Sequence, residues 1–419
     1  MTEMKSAKSG DLPAIAGGTP LHSEPFGKEA RYGEDELQEL KEALVQGSLF
    51  YAQGSKVRGL EEAFAAKNGV RFAVATSSGT ASIHAALIAA GISPGDEVIT
   101  APITDMGTAI PILYQGAVPI FADLNPHTMT MSPEAVAAAI TPRTKAVLAV
   151  HLWGNTCDLD GLRTLCDQHG IVLIEDCAQA FGATYKGCPV GTRGAMGCFS
   201  LNEFKHISCG DGGLVITNDA ELARRLRLAT DKAYSREPGV TMRQPLFLAG
   251  NYRMTELQGA VALAQLRKLD SIVERRQRWC GALSQRLRDL PGLLLPTPGD
   301  GGEPSWWFYP MQVIPEVLGA DADAFADALR AEGLPVGAHY IGVCIYEYPI
   351  FTQHSAFLRG EHPYFRQSYQ KGLCPEAERI LRDVTILSVN EAYTEDDLDR
   401  TERAIRRVVR WFCARLERS

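Results

Sequence analysis

From Arg71 to Thr217 the chain alternates short apolar runs with longer amphipathic ones, and no other pattern limits its possible folds as much. Strands are expected at Phe72 to Ala75, Glu97 to Thr100, Val118 to Phe121, Ala146 to Val150, Val172 to Glu175, Gly197 to Ser200 and Leu214 to Thr217. Several are apolar at consecutive positions rather than at every second one, as in strands covered on both faces. Helical spacing falls between many of them, for example at Thr80 to Ala90 and Leu159 to His169. The alternation predicts an α/β layer around a large, mostly parallel seven-stranded sheet. Ligands of such sheets sit beyond the carboxyl ends of the strands. In this register that rim carries Asp176 and Ser200.

The stretch from Val172 to Gly213 sets three different chemical groups along that rim. Val172-Leu173-Ile174-Glu175-Asp176 ends a buried strand in acid, Phe199-Ser200 ends a later one in a hydroxyl, and Lys205 follows just beyond. An acid to pair with a pyridinium nitrogen, a hydroxyl to meet a phosphate and an amine to form an imine are the groups that hold pyridoxal 5'-phosphate. Ser77-Ser78-Gly79-Thr80 adds a phosphate-type turn, because it follows a strand and opens a helix whose unpaired N–H groups and dipole favour an anion. Each feature alone has a plainer meaning. Serine before a helix caps it, an acid at a strand end does the same, and a lone lysine is ordinarily solvated. Their order along the chain is what one cofactor site requires.

His151 and His206 are further candidate acids or bases. His151, close to Trp153 in apolar surroundings, reads as a hydrogen-bonded structural histidine, and neither histidine has the spacing of a metal ligand pair. Gly210-Asp211-Gly212-Gly213 lacks the strand-then-helix context of a dinucleotide fingerprint, which argues against a nicotinamide enzyme.

Composition excludes several other classes. The formal charge of −8, from 50 acids against 42 bases, gives no general attraction to nucleic acid or to an anionic membrane. Lys5 and Lys8 have no apolar run behind them, and no stretch reaches the ~18 apolar residues that would span a bilayer. The ten cysteines fall at irregular intervals, mostly in apolar runs such as those of Cys177, Cys198 and Cys344. That usage reads as reduced, buried thiols in a cytoplasmic protein, with no metal site.

A length of 419 residues allows two or three domains. Residues 1–25, including Ala16-Gly17-Gly18-Thr19-Pro20, read as an extended arm. A large domain is expected over 26–265, opening with helices at Glu34 to Gln46 and Val57 to Lys67 and a loop between them that carries Phe50 and Tyr51. A smaller α+β domain is expected over 266–419: a charged helix from Leu266 to Asp289, a loop from Pro291 to Pro304, strands at Trp306 to Ile314 and Val336 to Tyr340, and helices at Ala322 to Glu332 and from Glu395. Trp306-Trp307-Phe308-Tyr309 reads as strand core, and Arg403, Arg406, Arg407 and Arg410 as a solvated helix face.

Several stretches also carry a wider resemblance: Tyr51 through Gly54, Ser78-Gly79-Thr80, Gly95-Asp96-Glu97-Val98, Val150-His151, Ile174 through Ala180, Phe199-Ser200, Lys205, Gly212-Gly213 and Asn251-Tyr252-Arg253-Met254. On these the chain resembles the DegT/StrS-type aminotransferases, a fold-type-I family that uses pyridoxal phosphate and acts on keto-sugars and related cyclic ketones. The resemblance runs from roughly Gly17 to Leu269, with a looser echo to the carboxyl end. It implies that Lys205 carries the imine and shuttles the proton, while Asp176 keeps the ring nitrogen protonated. Gln179 would meet the phenolic oxygen, and Ser78, Gly79, Thr80 and Ser200 would hold the phosphate. It also implies a homodimer with shared sites, in which Asn251 reaches the phosphate of the neighbouring subunit.

The substrates so implied are a small-molecule amino donor, glutamate or glutamine, and a cyclic ketone. The Gly17-Gly18-Thr19-Pro20 arm and the length resemble the subgroup that aminates keto-inositols for aminoglycoside-type compounds. Shorter relatives take nucleotide-linked keto-sugars, and a cofactor-binding relative without turnover is the alternative from another class. Dehydrating relatives have histidine at the lysine position, so Lys205 points to transamination. One position departs from the family pattern: Asp105 stands where an aromatic ring usually stacks on the cofactor.

Overall fold

The computed structural model describes residues 12–236, 239–240, 244–357, 362–364 and 367–418, so Lys5, Lys8 and the start of the expected arm lie outside the described residues. All seven expected strands are present, as β1 (Phe72–Thr76), β2 (Glu97–Thr100), β3 (Val118–Phe121), β4 (Thr144–Val150), β5 (Val172–Asp176), β6 (Met196–Ser200) and β7 (Gly213–Thr217). They form one sheet in the order β1-β7-β6-β5-β4-β2-β3. The pairs among β2 to β6 are parallel, whereas β7 runs antiparallel to both β6 and β1. The chain between Ser200 and Gly213 holds no helix, and only an antiparallel pair closes without a crossover element.

Consecutive apolar residues do lie on opposite sides of the sheet. Leu214 and Ile216 join a cluster with Phe64, Phe181 and Phe199, while Val215 joins another with Ile83, Leu87 and Leu226. The first cluster is filled by helix Lys56–Asn68 and the second by helices Gly79–Ala89 and Ala220–Thr230. Phe64 and Phe199 meet edge to face with centroids 5.0 Å apart, so truncating either ring would cost about 3–5 kcal/mol.

The sheet order joins segments distant in sequence. Gly213 pairs with Ser200 on one side and Thr76 on the other, which sets the turn after β1 beside the end of β6. A Cβ on Gly213 would fall 2.4 Å from the carbonyl oxygen of Ser78 and from the Ser82 hydroxyl, so this close approach requires glycine.

The helix expected from Leu266 begins earlier. It runs over Glu256–Leu287, capped by Thr255, whose side chain and backbone are both bonded to Gln258. Its first half packs on helices Glu34–Val45 and Lys56–Asn68, and Trp279, Cys280, Leu283 and Leu287 enter a second core with Phe325, Tyr309 and Val408. Position 265 therefore falls inside this helix. Beyond it lies a four-stranded antiparallel sheet, Leu293–Leu294, Phe308–Val313, Val384–Ser388 and Val336–Ala338 in spatial order, with the closing helix at Glu395–Leu416.

Two expected strands are shorter than their apolar runs. Trp306 (φ 53°), His339 (φ 63°) and Tyr340 (φ 48°) are left-handed, which stops the pleat at Phe308 and Ala338. A three-stranded sheet of two-residue strands, Thr184–Tyr185, Cys188–Pro189 and Gly302–Glu303, was not expected. The described part of the arm makes a short 3-10 turn at Ala14–Ala16 and then docks on the smaller sheet's domain. Glu332 accepts from the backbone N–H of Ala14 and Leu21 at 2.9 and 3.0 Å, and His22 Nε2 lies 3.0 Å from Asp397.

Candidate active site

The carboxyl ends of β1, β5 and β6 surround a cavity of about 340 Å³. Into it converge Ser78, Gly79, Thr80, Asp176, Gln179, Ser200 and Lys205, seven of the eight expected site residues. A larger open cleft, about 770 Å³, lies elsewhere and is lined by Asp158, Asp160, Lys186 and Asp300. Its one lysine is tied up, with Lys186 Nζ 2.8 Å from Asp160, and Asp158 is occupied by the Tyr185 hydroxyl at 3.0 Å, so the smaller cavity has the stronger chemistry.

Asp176 ends β5 and is almost fully buried. Its Oδ2 accepts from the Thr108 hydroxyl at 2.8 Å, its Oδ1 from the Ala178 N–H at 3.1 Å, and Thr108 is in turn 2.7 Å from Thr104 Oγ1. Burial pushes the Asp176 carboxyl up, while these two donors and the Lys205 ammonium favour its charged form. A buried carboxylate held from behind by two donors fits a cationic ring nitrogen in front of it.

Lys205 follows β6 in a loop tied by its own N–H to the Asn202 carbonyl at 3.0 Å and by the Arg31 guanidinium to its carbonyl at 2.8 Å. Only 8% of the residue is exposed. Burial brings the amine down to about 8, against the pull of the Asp176 and Asp105 carboxylates. Such an amine is neutral, and so nucleophilic, at a much lower pH than a surface lysine.

The anion cradle is built by close approach. Ser78 caps helix Gly79–Ala89 through its Oγ, which accepts from Ala81 N–H at 3.1 Å. The N–H groups of Gly79 and Thr80, in the first turn, have no intrahelical acceptor, and both residues line the cavity. A Cβ on Gly79 would sit 2.6 Å from Ser200 Cβ, and one on Gly107 would sit 2.7 Å from Thr80 Oγ1. Glycine at both places lets the hydroxyls of Thr80 and Ser200 gather round one space. Anion cradle, buried carboxylate and amine together fit a phosphorylated aldehyde that carries a basic ring nitrogen.

Gln179 is clamped at the side of this space. Its Oε1 accepts from the Trp153 N–H at 2.7 Å, and its Nε2 donates to the Tyr340 hydroxyl at 3.4 Å. Asn251, the eighth expected residue, is exposed and is not among the residues that line the cavity. Asp105 does line the cavity, and it caps helix Met106–Tyr114 by accepting from Gly107 N–H at 2.7 Å. Met106, the next residue, is partly buried and packs against the neighbouring hydrophobic core.

Neither histidine lines the cavity. His151 is fully buried, with Nε2 3.0 Å from Glu175 and Nδ1 accepting from the Cys157 N–H at 3.2 Å. His151, Glu175 and Cys177 approach one another within 4.8 Å, the spacing of a metal site. The Glu175 oxygens, however, are taken up by the N–H groups of Gly191, Arg193 and Gly194 at 2.6, 2.9 and 2.6 Å, so the cluster organises a turn. His206 bonds the Ser305 carbonyl at 3.0 Å, and burial beside the Arg276 guanidinium holds its pKa well below the usual histidine value.

Thr108, Trp307 and Tyr340 were not read as site residues from sequence. The hydroxyls of Thr104 and Thr108, four apart across a helix start, gave the only local signal. Trp307 and Tyr340 come from the segment beyond helix Glu256–Leu287 and are placed by packing against the cluster that holds Trp153 and Phe121.

A sequence model of the DegT/DnrJ/EryC1/StrS aminotransferase family matches residues 30–406. The chain is 34% identical over 387 residues to the spore coat polysaccharide biosynthesis protein SpsC of Bacillus subtilis (strain 168), covering 90% of this chain and 95% of that protein. Among solved structures it is similar to DesI in the presence of its TDP-sugar product, with TM-score 0.80, 30% identity and coverage of 98% of this chain and 99% of that one. It is also similar to 3-amino-5-hydroxybenzoic acid synthase, with TM-score 0.80, 27% identity and coverage of 92% and 99%. The fold is thus that of the fold-type-I enzymes, and the chain belongs to the DegT/DnrJ/EryC1/StrS aminotransferases, which work with pyridoxal 5'-phosphate.

Proposed function

We propose that the protein transfers an amino group from glutamate or glutamine to a hydroxylated cyclic ketone, a keto-cyclitol such as an inosose or a keto-sugar, in amino-sugar or aminocyclitol biosynthesis. The observation that carries this reading is the meeting of Lys205, Asp176 and the hydroxyls of Ser78, Thr80 and Ser200 in one cavity. When bound, pyridoxal phosphate supplies an aldehyde that exchanges amines and a ring that accepts the electrons left when a carbon loses its proton. Lys205 holds that aldehyde. Once displaced by the donor, it takes the donor's α-proton and later returns a proton to the acceptor carbon. Burial already brings this amine down to about 8 in the cofactor-free cavity, which favours its use as a base. Asp176 keeps the ring nitrogen protonated, Gln179 meets the phenolic oxygen, and the Ser78, Gly79, Thr80 and Ser200 cradle receives the phosphate. Asp105 offers an acceptor for a substrate hydroxyl where the family usually carries an aromatic ring.

The active unit in this reading is a homodimer, with Asn251 reaching the phosphate in the neighbouring copy. An apolar cleft lined by Tyr32, Leu37, Leu40 and Val261 lies beside Glu203, and next to it Phe204 is 76% exposed, a surface of the kind that pairs with another. No described helix is long and apolar enough to cross a membrane. The ten cysteines are all unpaired, which suits the reducing cytoplasm as the place of reaction.

A second reading, with a nucleotide-linked keto-sugar as acceptor, is favoured by the likeness to DesI along nearly the whole chain. Adding glutamate or glutamine to the cofactor-loaded protein should shift the cofactor absorbance to that of its amine form, and a suitable ketone should shift it back. Reversal by a free inosose and not by a nucleotide-linked keto-sugar supports the first reading, and the opposite result the second. No shift with any donor would mean a cofactor-binding relative without turnover.

A further inference from the structure

The aromatic run at 306–309 is only partly strand core. Trp306 and Tyr309 are buried, but Trp307 is half-buried and its indole lies against Lys205, with Nζ 3.8 Å from the ring centroid. One bond holds the ring and two hold its backbone. Its Nε1–H donates at 2.7 Å to the carbonyl of Phe204, the residue just before the lysine. Its backbone N–H donates to the Trp153 carbonyl at 2.9 Å, and its own carbonyl accepts from Arg276 at 3.4 Å. Trp306, immediately before it, is held in the left-handed region at φ 53°, a conformation that bulky residues keep only where their surroundings impose it. Indole and lysine loop are thus tied together directly, across two domains, beside the amine.

We propose that Trp307 is a positioning residue for Lys205, its indole face receiving the ammonium that forms when the displaced amine takes up a proton. The proposal rests on the reading of Lys205 as the cofactor-bearing amine. The face of an indole attracts a cation through its quadrupole, and more strongly where water is excluded. The other groups round the amine are the carboxylates of Asp176, at the end of β5, and Asp105, at the start of helix Met106–Tyr114. Asp211 also lines the cavity, His206 is held neutral, and the Arg31 guanidinium is bonded to the Lys205 carbonyl. A ring nitrogen paired with Asp176 would neutralise that carboxylate's pull on the amine. The indole face remains, and it holds an ammonium without accepting its proton. Once Lys205 has taken the donor's proton it therefore stays at the cavity, with that proton retained and able to be returned.

The test uses the full chain with Trp307→Leu and Trp307→Phe. Lys205 in cofactor-free protein is acylated with acetic anhydride over a range of pH and quantified by peptide mass spectrometry. Leucine should lower the midpoint by about one pH unit, and phenylalanine, which keeps an aromatic face, should restore at least half of that shift. A leucine variant with an unmoved midpoint, or a phenylalanine variant shifted as far as leucine, overturns the proposal. Should leucine fail to fold, fluorinated tryptophans placed at 307 keep the shape while draining charge from the ring. The midpoint should then fall stepwise with fluorine number, and a flat series overturns the proposal. The identity of the cofactor lysine is tested separately by Lys205→Ala, which should lose the absorbance of covalently bound cofactor whatever the Trp307 variants do.

Discussion

Thr108 shows how much of the Asp176 chemistry lies behind the carboxylate. Its hydroxyl donates to Oδ2 at 2.8 Å in a place closed to water, and such a bond to a charged acceptor contributes about 1.5–3 kcal/mol. Thr108→Val keeps the shape and removes the donor, so burial alone would push the carboxyl up further. Asp176 would then pair less well with a ring nitrogen, and the cofactor should bind at least about tenfold more weakly in a fluorescence titration. Equal affinity would mean that Asp176 does not depend on this bond. Asp176, Ser200 and Lys205 were legible in the sequence because acid, hydroxyl and amine at strand ends are unusual in type and in order. Thr108 and Trp307 were not, since a threonine in a helix and a tryptophan in an apolar run acquire their roles only from what the fold brings within 4 Å. Asp105 was legible as a departure from a family pattern, but that it both caps a helix and lines the cavity is a fact of three dimensions.

Single elements hold these groups in place, and Glu175 is the clearest case. One buried carboxylate accepts from three backbone N–H groups of residues 191–194, the turn that leads into β6 and so to Ser200. Glu175→Ala would leave those donors unpaired, at a cost of about 3 kcal/mol or more, and should lower the midpoint of urea unfolding with little change in slope. An unchanged midpoint would show that the turn holds without it. The seven strands of the main sheet were readable because apolar runs and helical spacing alternate with clear breaks. Strand Val384–Ser388 was missed because it follows helix Pro375–Asp383 directly, with no turn residue to mark the change of period. The two-residue strands at 184–185, 188–189 and 302–303 are too short for any alternation to register. Helix Glu256–Leu287 was placed too late because Gly259 and its alanines, small enough to let Val57 approach, weaken the apolar stripe of the first turns.

Across the whole molecule, the cavity exists because the chain returns to one place several times. The turn after β1, the ends of β5 and β6 and the start of helix Met106–Tyr114 precede the long helix Glu256–Leu287, and Trp307 and Tyr340 follow it. The long helix Glu256–Leu287 is common to both cores, and the Arg276 guanidinium, 2.8 Å from Glu391, also bonds the carbonyls of Trp306 and Trp307. This connection fixes Trp306 and Trp307 relative to the long helix. In the proposed reaction this assembly holds an aldehyde on one particular amine. Incubating the purified protein with pyridoxal phosphate, reducing with borohydride and mapping the peptides by mass spectrometry tests it directly. A stable pyridoxyl group is expected on Lys205, absent from Lys205→Ala and prevented when an amino donor is added before reduction. A modification spread over surface lysines, with Lys205 unmarked, would contradict it.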